Sequence, residues 1–295
     1  MNFKSILLTL LVILIWGSNF VVIKIGVTEI EPLIVLGLRF FFAGLIFLPF
    51  MKWPGWKQAN MIMLVGLLMG PLHQGFLYVA LETMPSGLMS IILQSNIIMV
   101  TLIGWLFLKE KIGWRTWGGI FLGLLGVVIL VSGQGLSGNA VGFSYAFISA
   151  FFIALTYIAM KKVDTVHAPT YIVLMSLPVS PLIFFSSFLL DGVSWMETAQ
   201  SLNWNIIGTV VLYQAIILSA SHMIWQRLLA QHPVSQVVPW TLLIPVAAMA
   251  TAMLFLNETL TAPILVGGSL TILGVAITTF RRLKRKEAPQ ALIVD

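Results

Sequence analysis

The 295-residue sequence contains no cysteine and very little charge. Without cysteine, the chain can form neither disulfides nor thiolate metal sites. Charged residues make up only 9% of the sequence and apolar residues 59%, whereas a soluble globular protein has about 25% charged residues. The surface of this protein must therefore face lipid, which excludes the soluble fold classes.

Apolar stretches of about 20 residues, long enough to cross a bilayer, recur along the whole chain. They predict an all-α membrane protein with ten transmembrane helices, which we call spans 1 to 10. The predicted spans are 6–27, 32–51, 60–80, 86–108, 114–132, 140–160, 169–190, 205–228, 234–256 and 261–280. Lys4 precedes the first apolar run, but no small-residue cleavage site follows it, so we interpret this run as a span rather than a signal peptide.

The basic residues test this count independently. All but two of the 16 Lys and Arg residues fall on one side of the ten-span arrangement. By the positive-inside rule, both termini are cytoplasmic and residues 281–295 form a basic cytoplasmic tail. Because this tail carries much of the net positive charge, we expect no nucleic-acid partner. The two exceptions, Lys24 and Arg39, lie near the predicted outer ends of spans 1 and 2. We interpret them as snorkelling side chains or a structural ion pair, with carboxylate binding by Arg39 as the alternative.

Acidic side chains are absent from the predicted membrane interior. All ten Asp and Glu residues lie in connections or at span ends. No carboxylate is therefore available mid-membrane for the proton relay of a typical proton-driven drug exporter. His73 and His222 are the alternative proton carriers, because histidine titrates near neutral pH. The chain has no H-E-x-x-H or G-x-S-x-G motif, and we predict no enzyme activity, metal or cofactor.

The sequence repeats itself at an offset of 148 residues. The stretch FLKEKI at 107–112 matches FLNETL at 255–260. The same register aligns Pro85 with Pro233, Gly119 with Gly267, and Gly126 with Gly274. A unit of five spans is odd, so its second copy must be inverted in the membrane. We therefore predict two inverted five-helix repeats, 5–132 and 140–280, with a substrate site near the midplane between them.

A G-x-G-x-x-G pattern at 133–138 falls between the two predicted repeats. In dinucleotide-binding proteins this pattern follows a strand and opens a helix. Here no strand is predicted before it. We interpret the stretch as a linker and predict no nucleotide site.

Three motifs identify a family resemblance. Trp16-Gly17-Ser18-Asn19 in span 1, Arg39-Phe40 in span 2 and Phe-Leu-x-Glu after spans 4 and 9 resemble the EamA-type drug/metabolite transporter superfamily over about residues 5–280. The pattern is most similar to bacterial amino-acid exporters, including those for aromatic amino acids. The resemblance implies two five-helix units, export and a bacterial inner-membrane location. The sequence departs from the family at Ile97, where proline is common, and span 7 has no counterpart of Arg39.

Polar residues form one stripe on each of several spans, as a solute cavity would require. Helix packing is the alternative explanation of the same residues. The candidate cavity residues are Trp16, Asn19, His73, Gln74, Tyr78, Gln94, Tyr157, Gln214, His222 and Trp225. Pro239 and Pro245 in span 9, and Gly17 in span 1, are candidate hinges, because proline removes a helical hydrogen bond.

The sequence thus predicts a transporter that exports aromatic and other neutral amino acids, and related metabolites, by facilitated diffusion. The alternatives are a proton-coupled multidrug exporter and a sugar or nucleotide-sugar carrier. The expected partners are a small-molecule substrate and membrane lipid, with the protein a monomer or loose dimer.

Overall fold

A computed structural model describes residues 1–107, 113–133, 136–164, 166–191, 203–232 and 234–285. Within these ranges the chain forms helices and no strands. Nine helices of the described part are long and apolar enough to cross a membrane, and a shorter apolar helix covers Trp240–Leu256. The structure confirms the predicted all-α class.

The helices follow the predicted spans closely. Spans 1 to 5 are Phe3–Glu29, Pro32–Phe50, Trp56–Thr83, Ser86–Phe107 and Trp114–Gly133. Spans 6, 7, 8 and 10 are Leu136–Met160, Ala168–Leu190, Trp204–Gln231 and Ala262–Arg285. Span 10 continues as helix into the predicted tail, whose remaining residues lie outside the described ranges. Gln134 and Gly135 of the predicted linker also lie outside them.

Span 9 differs from a regular helix. It begins with the short helix Val234–Val237, continues as the 3₁₀ segment Val238–Leu243, and becomes α-helical at Ile244–Leu256. Pro239 and Pro245 each stand in the first two residues of a new segment. Since proline has no N–H to donate, it is tolerated at a helix start but not in its interior. The two prolines therefore mark where span 9 changes form.

Span 4 is also interrupted, although it contains no proline after its start. It consists of Ser86–Leu93 and Ser95–Phe107, with Gln94 in a turn between them. The Gln94 N–H donates to the Ile91 carbonyl at 3.0 Å, an i to i−3 hydrogen bond that is typical of the last turn of a helix. At the 148-residue offset, the Gln94 position corresponds to Leu242, inside the 3₁₀ segment of span 9. Corresponding spans of the two halves thus break at corresponding places.

Contacts between distant residues define the two ends of the bundle. At one end, the Met1 amino group donates to Gln236 Oε1, and the Lys52 N–H donates to Thr170 Oγ1 at 2.9 Å. This end, which also holds Lys57, we call the terminal end. At the opposite or far end lie the 1–2, 3–4 and 9–10 connections. There the Lys24 Nζ donates to the Leu81 carbonyl at 2.7 Å.

Core packing is concentrated at the far end. All ten spans contribute far-end or central residues to one large cluster of buried apolar side chains. One member from each span in turn is Ile23, Leu36, Leu81, Ile91, Leu130, Phe143, Ile183, Val210, Ala248 and Ile264. Four smaller clusters of buried apolar side chains lie apart from it among the described residues. These are centred on Ile62 in span 3, Val12 in span 1, Ala43 in span 2 and Ile98 in span 4. The spans are therefore packed together at the far end and divided into groups toward the terminal end.

Spans 5 and 10 form the closest helix pair, through glycines. A Cβ atom added at Gly119 would lie 2.9 Å from the Gly274 carbonyl oxygen, and one added at Gly126 would lie 2.5 Å from the Gly267 oxygen. The two backbones are in direct contact because neither side has a side chain there. The helices run antiparallel, and each half contributes the equivalent glycines to the contact.

Candidate functional site

A hydrogen-bonded network of buried polar side chains joins spans 2, 3 and 8. Arg39 Nη1 donates to the side-chain oxygen of Gln74 and lies 3.5 Å from the Tyr78 hydroxyl oxygen. The Tyr78 hydroxyl in turn donates to Gln214 Oε1 at 2.7 Å. All four side chains are buried. The structure therefore brings together three residues that were predicted to line the cavity, Gln74, Tyr78 and Gln214, around a guanidinium.

Two π-helical segments place these residues in the bundle interior. Residues Leu68–Gly75 of span 3 and Tyr213–Leu218 of span 8 are π-helical, and Pro71 lies inside the first. A π segment widens the helical turn, re-aims its side chains and is frequent at functional sites. His73 and Gln74 lie in one segment and Gln214 in the other. His73 Nδ1 is 2.9 Å from Ser149 Oγ in span 6, a separate buried polar contact that joins span 3 to span 6.

An aromatic group lies between spans 1 and 8. The Trp16 ring centroid is 5.1 Å from that of His222 and 5.1 Å from that of Trp225. Trp16 Nε1 donates to Ser221 Oγ at 2.9 Å. The Leu218 carbonyl at the end of the π segment accepts from Ser221 Oγ at 2.6 Å and lies 2.7 Å from His222 Nδ1. Trp16, His222 and Trp225 therefore form one group.

Four buried amide atoms in the centre of the bundle have no hydrogen-bond partner among the described residues. They are Asn19 Oδ1, Gln94 Nε2, Asn96 Oδ1 and Gln214 Nε2. Buried polar groups normally form a hydrogen bond, and a buried polar atom without one costs about 1–3 kcal/mol of stability. At 1.5 Å per residue, Asn19, Arg39 and Gln214 lie about 10–15 Å from the far ends of their helices. The polar layer thus lies in the middle of the bundle, directly below the far-end core.

The structure places the other predicted residues differently. Tyr157 is 43% exposed on span 6, and the structure gives its hydroxyl no hydrogen bond, so it is not joined to this layer. Gly17 lies within the continuous helix of span 1. A Cβ atom there would lie 2.6 Å from the Ala247 Cβ in span 9. In the structure this glycine allows span 9 to approach closely.

The interpretation of Arg39 as a snorkelling or paired cation was wrong, whereas Lys24 reaches the far end of the bundle as a snorkelling side chain would. Arg39 is only 9% exposed, and no carboxylate of the described chain lies within 4 Å of it. Its guanidinium is held inward by Gln74, so it does not reach the interface. Lys24 Nζ donates to the Leu81 and Glu82 carbonyls at 2.7 and 3.0 Å, the free carbonyls at the end of span 3. It caps a helix C-terminus, where a cation is favoured.

The role of Glu258 at the far end was not predicted from the sequence. Glu258 was noticed only because its stretch repeats. In the structure its Oε1 accepts from the Ser86 N–H and its Oε2 from the Gly87 N–H. The signal that could have revealed this is the Pro85-Ser86 start of span 4, since the first N–H groups of a helix need external acceptors.

Ten apolar segments around a central polar layer define a multi-pass membrane protein that handles a solute, and comparisons with known proteins identify its family. The EamA-like transporter family model matches residues 3–132 and 140–280, so the chain belongs to that family. It is a membrane transporter, and not an enzyme. Among the described residues no group of three potential metal ligands is present.

Individual relatives agree with this assignment. The chain is 31% identical to a probable amino-acid metabolite efflux pump of Escherichia coli, over 97% of this chain and 98% of that protein. It is 32% identical to a protein of the same description from Salmonella typhimurium, over 98% and 99% of the two chains. A 35% identity over 44% of each chain relates it to an uncharacterized inner membrane transporter of Escherichia coli. A crystal structure covering 95% of this chain has a TM-score of 0.55 at 14% identity, which supports the fold alone.

Proposed function

We propose that this protein exports neutral amino acids, including aromatic ones, and related small metabolites across the bacterial inner membrane by alternating access. The class of substrate is inferred from the two full-length relatives that are named probable amino-acid metabolite efflux pumps. The indole and imidazole rings of Trp16, His222 and Trp225 would suit an aromatic side chain. The inner-membrane location rests on the bacterial relatives.

The observation that carries the transport mechanism is the uneven packing of the two ends. One core joins all ten spans at the far end, while separate clusters join smaller groups of spans at the terminal end. The polar layer lies at the boundary between these regions. We take this difference in packing as support for a carrier that is closed at the far end and receives solute from the terminal end.

The contact between spans 5 and 10 supports two inverted repeats, 5–132 and 140–280. Gly119 meets Gly274 and Gly126 meets Gly267, although Gly119 corresponds to Gly267 and Gly126 to Gly274 at the 148-residue offset. Reciprocal contacts of this kind are expected at a two-fold axis. An axis in the membrane plane relates the two states of an inverted-repeat carrier, because exchanging the conformations of the halves exchanges the open side.

The distribution of charge supports a cytoplasmic terminal end. Lys4, Lys52, Lys57, Lys161 and Lys162 all belong to that end of the bundle. Positive-inside bias would place it in the cytoplasm, with both termini. The structure would then be the inward-facing state, closed to the outside and open to a cytoplasmic solute that is to be exported.

We propose facilitated diffusion without an ion. The described carboxylates, of which Glu82, Asp164 and Glu258 are examples, lie at helix ends or in connections. No described acid is therefore placed to carry a proton through the polar layer. His73 and His222 remain the alternative carriers. A cationic-drug exporter fits less well, because the central charge is the positive Arg39. A sugar carrier is the second candidate, since the Trp16 and Trp225 rings would also stack on a sugar.

The test uses the purified protein in liposomes. Counterflow of labelled phenylalanine, tryptophan, threonine and methionine should be saturable, and an imposed pH gradient should not change it. Protein-free liposomes are the control. Flux that requires the gradient would replace facilitated diffusion by proton coupling. Folded protein without any amino-acid flux, but with sugar flux, would replace the substrate class.

A further inference from the structure

The charge on Arg39 is not balanced by any described group. Its guanidinium has five N–H donors, and in the structure only Nη1 donates hydrogen bonds, to Gln74 Oε1 and more weakly to the Tyr78 hydroxyl oxygen. Both of those partners are neutral. Its Cζ also lies 5.3 Å from the centroid of the Phe40 ring, which is apolar. A buried cation with no counter-ion favours an anionic ligand.

The neighbouring groups of the network add an unpaired donor and no negative charge. Gln214 Oε1 accepts from the Tyr78 hydroxyl, and the Gln214 Nε2 amide is buried without a partner. The Gln74 oxygen accepts from Arg39 and is neutral. The donors that this network leaves unpaired are the remaining N–H groups of Arg39 and the Gln214 Nε2 amide. Planar pairs of N–H donors match the two oxygens of a carboxylate.

We propose that Arg39, together with the Gln214 amide nitrogen, binds the α-carboxylate of the transported amino acid. Gln74 and Tyr78 hold the guanidinium in place, and the Trp16, His222 and Trp225 group contacts the side chain. This inference rests on the proposed function for the identity of the solute. The carboxylate site itself depends only on the network, and it also admits monocarboxylates that lack an amino group. It excludes amines and amides of the same shape.

Ligand-induced thermal stabilisation of the purified protein tests the site without requiring transport. The probes are phenylalanine, 3-phenylpropionate and phenylalaninamide, which keep the ring and differ in the carboxylate or the amino group. We expect both acids to raise the melting temperature of the unmodified protein and the amide to leave it unchanged. In Arg39→Gln, binding of the acids should weaken roughly 10- to 100-fold, as for a lost charge-assisted hydrogen bond.

Two further variants keep the experiment decisive. Arg39→Lys retains the positive charge but lacks the planar pair of N–H donors of the guanidinium. It should bind the acids more weakly while still preferring them to the amide. This variant provides the test if Arg39→Gln fails to fold. Lys24→Gln removes a cation of span 1 that binds backbone carbonyls, and should keep the acid-to-amide preference unchanged.

The contrary outcomes are distinct from failure of the proposed function. Equal stabilisation by acid and amide, no stabilisation by either acid, or an unchanged acid preference in folded Arg39→Gln would each overturn the carboxylate site. Acid binding that depends on Arg39, with no amino-acid counterflow in liposomes, would retain the site and overturn amino-acid export.

Discussion

The Glu258 carboxylate accepts the backbone N–H of Ser86 at 2.6 Å and so joins the 9–10 connection to the first turn of span 4. Its second oxygen accepts the Gly87 N–H at 3.0 Å. A carboxylate at a helix N-terminus satisfies free N–H groups and interacts favourably with the helix dipole. Because Glu258 belongs to the second predicted repeat and Ser86 to the first, this contact joins the two predicted repeats at the far end.

Replacing Glu258 by glutamine should weaken this fastening. Loss of the charge removes about 1–2 kcal/mol from the free energy that keeps the far end closed. The chain has no cysteine, so Met84→Cys, at a fully buried far-end position, can report opening through its rate of labelling by a maleimide. We expect faster labelling when Glu258→Gln is added.

Glu29→Gln is the matched control for this experiment. Glu29 is an exposed carboxylate at the same end of the bundle, with no hydrogen bond from its side chain in the structure. Its replacement should leave the labelling rate unchanged. Equal rates in all three proteins would show that Glu258 does not hold the far end closed.

The glycine contact between spans 5 and 10 should tolerate no methyl group. In Gly126→Ala the new Cβ would meet the Gly267 oxygen at 2.5 Å, and separating two helix backbones costs about 1–3 kcal/mol. We expect a lower melting temperature in detergent. Gly118→Ala adds the same atom on the same helix with nothing within 4 Å, and should be neutral or slightly stabilising. Equal melting temperatures for the two variants would contradict the close contact.

If the Trp16, His222 and Trp225 group contacts the substrate side chain, removing one of its rings should slow the transport of aromatic substrates most. Trp225→Leu should reduce phenylalanine and tryptophan counterflow about 3- to 10-fold, as expected for a lost aromatic contact. Threonine flux should change less. Trp117, on the exposed face of span 5 against Trp105, is the control, and Trp117→Leu should alter neither flux. A uniform loss for all substrates in Trp225→Leu would indicate a structural role instead.

The orientation of the bundle can be measured with two single cysteines. Glu29 and Lys57 are exposed at the far and terminal ends, respectively. If the terminal end is cytoplasmic, an impermeant maleimide added to intact cells should label Glu29→Cys and spare Lys57→Cys. Permeabilised cells, in which both should react, provide the control. The reverse pattern would place the termini outside and make the structure an outward-facing state.

Local patterns predicted the helices well because the bilayer imposes a simple requirement. Each crossing needs about 20 apolar residues with every backbone group bonded internally. The same rule identified which side chains would be costly in lipid, and three of them, Gln74, Tyr78 and Gln214, lie together in the structure. The prolines of span 9 were also recognised, since their effect on a helix is local.

Non-local features were beyond the reach of such patterns. The break at Gln94 has no proline beside it, and neither does the π segment Tyr213–Leu218 of span 8. Arg39 was misinterpreted because its position near a span end favours snorkelling. Its actual partner belongs to another helix, and the hydrogen bonds continue to Gln214, far along the chain.

By itself, the sequence determined that this protein is a bundle of membrane-spanning helices with an internal repeat. The bilayer constrains the length and apolarity of each helix and the position of basic residues, and all of these can be read directly along the chain. Only the tertiary structure decided at which end all ten spans share one buried core and where the Arg39 charge lies. Both depend on contacts between helices that are distant in sequence, and the Glu258 contact or a buried guanidinium at Arg39 exists only once those helices have packed.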